Sequence, residues 1–131
     1  MFAHARESSP AECCGLIGGN SVRALSVYRL SNAAPDKLTR YEAAPEELFA
    51  AQKQMRARGE ELLAIYHSHP RDAEPLPSAT DVQLAFYPSA VYLIIGLGGE
   101  EAVLSAFQLF ERENTWERAR VQIIDSDNEK F

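Results

Sequence analysis

One short segment in the middle of the chain constrains the fold more than any other. The run Leu62 to His67 is apolar, too short for a helix, and continues into a His-Ser-His-Pro tetrapeptide, which predicts a central strand. Prolines exclude regular structure between Arg71 and Pro77. Ser78 then forms a capping-box pattern with Asp81, which predicts a helix through about Phe86. The sequence therefore predicts a strand, a loop and a capped helix in direct succession.

Five further strands are predicted from apolar runs or from alternating apolar and polar residues. They lie at Cys14 to Gly18, Val22 to Leu30, Val91 to Gly96, Ala102 to Phe110 and Trp116 to Ile124. Gly18, Gly19 and Asn20 predict a turn that closes the first of these strands, so the first two should form a hairpin. We expect the residues from Asp125 onward to be frayed.

A second helix is predicted from Pro45, which can occupy a first turn, to Gly59, which ends it. Apolar residues recur between Leu48 and Met55 at a spacing of three to four, so this helix should cover a sheet, and the start of the chain is also expected to be helical. Trp116 and the phenylalanines are expected in the core. No repeat or linker divides residues 1–131, which predicts a single mixed α/β (α+β) domain with a central mixed sheet flanked by helices.

The charge balance argues against a nucleic-acid partner. The net charge is -6 and the pI is near 5.0, whereas phosphate binding needs clustered Lys and Arg on one face. Lys53, Arg56 and Arg58 form the only local basic cluster in the sequence, and their helical spacing indicates a solvated helix face.

The cysteines and the hydropathy pattern bear on the location of the protein. Cys13 and Cys14 are adjacent and cannot form an unstrained disulfide, so we expect both to be small buried hydrophobic residues in a cytoplasmic protein. The first ten residues lack the apolar stretch of a signal peptide, and no window approaches 18 apolar residues, so no membrane role is expected. His4 is expected to be solvated.

The His-Ser-His segment also carries the densest chemistry. Residues two apart on a strand share a face, so His67 and His69 should present two imidazoles together while Ser68 points away. Asp81 lies one helical turn after Ser78, at the start of a helix that can fold back over the strand end. Two histidines and one carboxylate leave a tetrahedral zinc one open position, which is typical of catalytic sites. The alternatives are a polar strand face and an ordinary helix cap.

At these residues the sequence resembles the JAMM, or MPN-plus, zinc metalloprotease family over nearly its whole length. The resemblance rests on HSHPRDAEPLPSATD, from His67 to Asp81, and on PAECCGLIGG, from Pro10 to Gly19. It implies a cytidine-deaminase-like MPN domain with Zn²⁺ held by His67, His69 and Asp81. It also implies that Glu12 is the general acid and base acting on water, and that Ser78 steadies the oxyanion. Eight residues separate His69 from Ser78, where the family usually has seven, so a difference is expected at the rim of the site rather than at the ligands.

The resemblance also implies a substrate class. Compact family members act after the C-terminal Gly-Gly of ubiquitin-like proteins, and this chain is similar to the peptidases of bacterial sulfur-carrier proteins that serve cysteine or thiocarboxylate metabolism. We expect the extended tail to pair with an exposed sheet edge beside the catalytic strand. A non-catalytic MPN binding module and a hydrolase of small non-protein amides stay open as alternatives, as does the choice between monomer and homodimer.

Overall fold

A six-stranded mixed sheet runs through the molecule, and the computed structural model describes residues 1–21 and 23–122. In chain order the elements are α1 (Phe2–Ser8), β1 (Cys14–Asn20), β2 (Arg23–Leu30), α2 (Pro45–Ala57), β3 (Glu61–His69), α3 (Ala79–Gln83), β4 (Val91–Gly96), β5 (Val103–Phe110) and β6 (Thr115–Arg118). The strand order is β2-β1-β3-β4-β5-β6, with β3 and β4 parallel and every other neighbouring pair antiparallel. The predicted mixed α+β architecture is confirmed.

Side chains alternate along each strand, so the sheet has two faces. Different helices cover these faces. One face carries Cys14, Ile65 and Ile94 and packs against Ala51 and Met55 of α2 and Val82 of α3. The other face carries Cys13, Tyr66 and Ile95 and packs against Ala5 of α1. Both cores are therefore apolar layers, and the candidate site residues lie at one end of the first face.

The predicted hairpin of the first two strands is confirmed, but its turn lies later than predicted, because β1 continues through Gly18 and Gly19 and ends at Asn20. The chain reverses after it, where Ser21 has φ 47°, and Val22 of the predicted second strand lies outside the described residues. A β-bulge shifts the register at Gly18/Gly19. A Cβ on Gly19 would collide with the carbonyl oxygen of Arg23. Gly19 therefore serves close backbone approach within a strand rather than a turn.

Two elements are shorter than predicted. The capped helix ends at Gln83 instead of near Phe86. After it, the N–H of Ala85 bonds to the carbonyl oxygen of Val82, a tighter bond to the third residue back that ends the α-helical pattern. The last strand covers Thr115–Arg118. Ile123, Ile124 and the tail from Asp125, which were predicted as strand and frayed end, lie outside the described residues.

The expected burial of every phenylalanine is also wrong. Phe107 is fully buried against Trp116, with ring centroids 5.2 Å apart in an edge-to-face arrangement. Phe49 and Phe86, in contrast, are 63% and 67% exposed. Phe49 lies on α2 beside the stripe that packs on the sheet, and Phe86 follows the end of α3, so neither position faces a core.

The expected sheet edge beside the catalytic strand does not exist in the described part of the chain. β3 pairs with β1 on one side and with β4 on the other, up to His67 and His69 respectively. The edges are β2 and β6 instead. This prediction is wrong because strand order depends on non-local pairing that local patterns do not encode.

In the described part of the chain, no helix is both long enough and apolar enough to cross a membrane.

Candidate metal centre

The end of β3 brings the two histidines together. His67 and His69 lie on the same face, with their Nε2 atoms 3.1 Å apart. Ser68 points to the other face, where its Oγ accepts a hydrogen bond of 2.9 Å from the backbone N–H of Cys13. That bond ties the start of β1 to the end of β3. The strand pairing of Cys14 with His67 completes the junction and brings the residue before Cys13 alongside the histidines.

The capping box of α3 delivers the carboxylate. Asp81 donates its backbone N–H to Ser78 Oγ at 3.0 Å, and Ser78 donates its backbone N–H to Asp81 Oδ2 at 2.9 Å. These reciprocal bonds satisfy two donors at the helix start. They also fix the Asp81 side chain, whose Oδ2 lies 3.2 Å from His67 Nε2 and 3.1 Å from His69 Nε2. The Asp81 carboxylate thus both caps α3 and is a candidate metal ligand.

The three donor atoms have the spacing that a tetrahedral metal ion requires. Their pairwise separations are 3.1, 3.1 and 3.2 Å, and bonds of about 2.0–2.1 Å to a tetrahedral ion place neighbouring ligand atoms about 3.3 Å apart. All three side chains are almost fully buried. The residues therefore fit a metal ion, and the eight-residue loop between His69 and Ser78 does not separate them.

Glu12 lies beside this triangle, just before β1. One of its carboxylate oxygens and ring nitrogens of His67 and His69 all lie within 4.8 Å of one another. The residue is 6% exposed, and Oε1 has no hydrogen-bond partner among residues 1–21 and 23–122. The closer contacts of Asp81 with both histidines make Asp81 the better third ligand, which leaves the Glu12 carboxylate available as a base.

The ionisation of these groups suits metal binding. Burial lowers the pKa of His67 and so favours a neutral imidazole. Burial would raise the pKa of Asp81, but contact with His67 and His69 outweighs it and lowers the pKa below its usual range. The site thus offers an ionised carboxylate and a neutral imidazole, the forms that bind metals.

Glu12 and His69 are shifted the other way. Burial raises the pKa of Glu12 to about 7, although the nearby His69 opposes the shift. Burial would lower the pKa of His69, but its bonding to Asp81 raises it. A carboxyl group with a pKa near neutrality can both accept and return a proton at physiological pH, which is what a general acid and base requires.

The other residues singled out from the sequence are Ser78, the two cysteines and His4. Ser78 is exposed, and its Oγ accepts one bond from Asp81, so its O–H can still donate. Cys13 and Cys14 are buried as predicted, and burial raises the pKa of both thiols, that of Cys14 to about 12. A raised pKa favours the protonated thiol, which is a poor nucleophile. His4 is half-buried and bonds to the Tyr66 hydroxyl at 2.7 Å, so its predicted solvation is wrong.

Three residues at the site were missed by the sequence reasoning. The ring of Tyr41 stacks on His67, with centroids 4.4 Å apart and planes at 25°. Asp72 Oδ2 lies 3.2 Å from His69 Nδ1. Asn32 donates from Nδ2 to the carbonyl oxygen of Glu12 at 3.0 Å. Only Asn32, in an Asn-Ala-Ala-Pro stretch typical of turns, had a local signal.

Comparison with known families gives a match over most of the chain. The family model for prokaryotic homologs of the JAB domain matches residues 1–110. The solution structure of a protein from Desulfitobacterium hafniense is similar, with a TM-score of 0.82 and 32% sequence identity, and the match covers 100% of this chain and 91% of that one.

Similar curated proteins are named as peptidases. The desampylase of Haloferax volcanii is 37% identical over 105 residues, which cover 76% of this chain and 75% of that protein. A probable TtuB-protein conjugate cleaving protease of Thermus thermophilus is 39% identical over 102 residues, 78% and 67% of the two chains. The CysO-cysteine peptidase of Mycobacterium tuberculosis is 36% identical over 97 residues, 72% and 65% of the two chains.

Proposed function

This chain belongs to the family of prokaryotic JAB-domain homologues, as a hydrolytic enzyme of the JAMM type, and we propose that it is a zinc peptidase. Its proposed reaction is hydrolysis of the amide bond that follows the C-terminal Gly-Gly of a small ubiquitin-like sulfur-carrier protein. We propose the cytoplasm as the place of this reaction, which agrees with the free thiols of Cys13 and Cys14.

The convergence of three buried donors beside a buried glutamate carries this proposal. Nε2 of His67, Nε2 of His69 and Oδ2 of Asp81 would hold the ion. Two imidazoles and one carboxylate at tetrahedral spacing favour zinc over calcium or magnesium, which prefer oxygen ligands in larger number. When bound, zinc supplies Lewis acidity, which lowers the pKa of water and polarises a carbonyl group.

Glu12 moves the protons in the proposed mechanism. Its carboxylate takes a proton from the attacking water as the new carbon–oxygen bond forms at the substrate carbonyl. It then gives that proton to the amine nitrogen as the carbon–nitrogen bond breaks. A pKa raised to about 7 by burial suits both transfers. No covalent intermediate with the chain is needed.

Ser78 is the proposed donor to the oxyanion. Its Oγ accepts the N–H of Asp81, which orients the hydroxyl group at the start of α3. The O–H can then donate to the negative charge that develops on the former carbonyl oxygen. The same side chain thus anchors the proposed ligand Asp81 and assists the chemistry.

The substrate class is supported by the names of the relatives. One is named as a probable TtuB-protein conjugate cleaving protease, and another is named as a CysO-cysteine peptidase. A Gly-Gly end suits a buried centre because glycine, without a side chain, lets the substrate backbone approach His67 and His69 closely.

Zinc removal and replacement test the metal dependence. We expect that chain stripped by a chelator no longer cleaves a Gly-Gly-ended ubiquitin-like protein fused to a short peptide. Titration with Zn²⁺ should restore cleavage with an endpoint of one ion per chain, and Mg²⁺ should not restore it. Full cleavage by stripped protein, with zinc absent by elemental analysis, would refute the proposed metal chemistry.

A further inference from the structure

The segment of residues 31–43, which we call the clamp loop, is organised around one side chain. The Asn32 amide makes four hydrogen bonds, of which its NH₂ group donates two and its oxygen accepts two. Nδ2 donates to the carbonyl oxygens of Glu12 and Arg40, each at 3.0 Å, and Oδ1 accepts from the N–H groups of Ala34 at 2.9 Å and Glu42 at 3.1 Å. The amide therefore joins both ends of the loop to the backbone at Glu12.

The clamp loop holds the backbone of Glu12 from both sides. The Glu12 N–H donates to the carbonyl oxygen of Lys37 at 2.7 Å, and the Glu12 carbonyl accepts from Asn32. Since Oε1 has no partner among residues 1–21 and 23–122, the side chain is not fixed through that atom. Its placement beside the histidines therefore depends strongly on the backbone clamp.

The same loop also steadies one of the histidines. The residues bonded to Asn32 at this end, Arg40 and Glu42, flank Tyr41 on either side. The Tyr41 ring stacks on His67, whose Nδ1 has no hydrogen-bond partner in the described part of the chain. Histidine ligands are usually oriented by a hydrogen bond to the second ring nitrogen. Here the stacked Tyr41 ring restricts the orientation of the His67 imidazole instead.

We propose that Asn32 is a positioning residue that fixes the Glu12 carboxylate relative to His67 by clamping the backbone of Glu12 and the residues on either side of Tyr41. This inference rests on the proposed function for its catalytic meaning, and on the four hydrogen bonds for its geometry. None of the four hydrogen bonds of Asn32 goes to His67, His69 or Asp81, so Asn32 should affect turnover without binding the metal.

An isosteric substitution separates positioning from folding. Asn32→Asp keeps an oxygen that accepts from Ala34 and Glu42 but removes the donors to Glu12 and Arg40. Because small displacements of catalytic groups cost up to about 100-fold in rate, we expect kcat to fall about 10- to 100-fold. Zinc content should stay at the wild-type value, and KM should change by less than about twofold. Asn20→Asp, the same change at an exposed strand end, is the matched control and should leave both constants unaltered.

Amide hydrogen exchange gives a second readout that does not need activity. In Asn32→Asp the Glu12 amide should exchange faster, while the Asp81 amide in the α3 cap should keep its protection. In the wild type, the Glu12 and Glu42 amides should open together with one free energy. This wild-type measurement tests whether Asn32 couples Glu12 to Glu42 even when the variant does not fold.

The outcomes separate this inference from the proposed function. A wild-type protein without peptidase activity refutes the proposed function, while hydrogen exchange still decides whether Asn32 clamps Glu12. An active wild type, with Asn32→Asp folded and equally fast, overturns the positioning role. Independent opening of Glu12 and Glu42 in the wild type overturns it as well.

Discussion

Glu12→Gln should lower kcat for amide cleavage by about 10²- to 10⁴-fold, the usual contribution of a general acid and base. The amide of glutamine has nearly the shape of the carboxylate but cannot accept a proton from water at neutral pH. Because Asp81, rather than Glu12, makes the close contacts with both histidines, the variant should keep one zinc per chain. Steady-state kinetics and elemental analysis on the same sample measure both effects.

Glu46→Gln provides the matched control for that experiment. Glu46 lies exposed in the first turn of α2, and the substitution removes the same charge. Its kcat should equal the wild-type value. Retention of wild-type kcat in Glu12→Gln would contradict the proposed proton transfer, and loss of zinc together with activity would make Glu12 a ligand instead.

Asp81→Asn should weaken zinc binding by more than about 100-fold, beyond the usual cost of losing a residue that only supports a ligand. The substitution removes the negative charge whose Oδ2 faces Nε2 of both His67 and His69. An asparagine oxygen can still accept the N–H of Ser78, so the helix cap should survive. Competition with a chromogenic chelator measures the affinity, and thermal melting of the metal-free protein checks the fold.

Asp72→Asn is the control for this second substitution. Its carboxylate is half-exposed and lies 3.2 Å from Nδ1 of His69, not beside the Nε2 atom that would bind the ion, so it can orient the ring without being a ligand. We expect the zinc affinity to fall by about 10- to 100-fold at most, the usual effect of losing a residue that orients a ligand. If Asp72→Asn weakens binding more than Asp81→Asn, the assignment of Asp81 as a ligand is wrong.

Much of the candidate centre was predictable because it is built from local rules. Alternation on a strand places His67 and His69 on one face. The Ser-x-x-Asp capping box orients Asp81 through bonds within a single helical turn. These relations need only a few neighbouring residues, so the sequence pattern specified them without knowledge of the tertiary structure.

The parts that were missed depend on contacts between distant segments. Asn32 and Tyr41 reach Glu12 and His67 only after the clamp loop folds back on β1 and β3. The strand order likewise depends on non-local pairings such as that of β3 with β4, more than 20 residues later in the chain. No periodicity in a short window records such contacts, which is why the expected sheet edge was wrong.

The most direct test of the proposed function is the intact mass of the products formed from a Gly-Gly-ended ubiquitin-like protein fused through an amide to a short peptide. With zinc-loaded wild type, we expect two products whose masses sum to that of the substrate plus one water, with the cut directly after the second glycine. Uncleaved substrate, or a cut at any other bond, would contradict the assignment of this chain as a Gly-Gly-directed zinc peptidase.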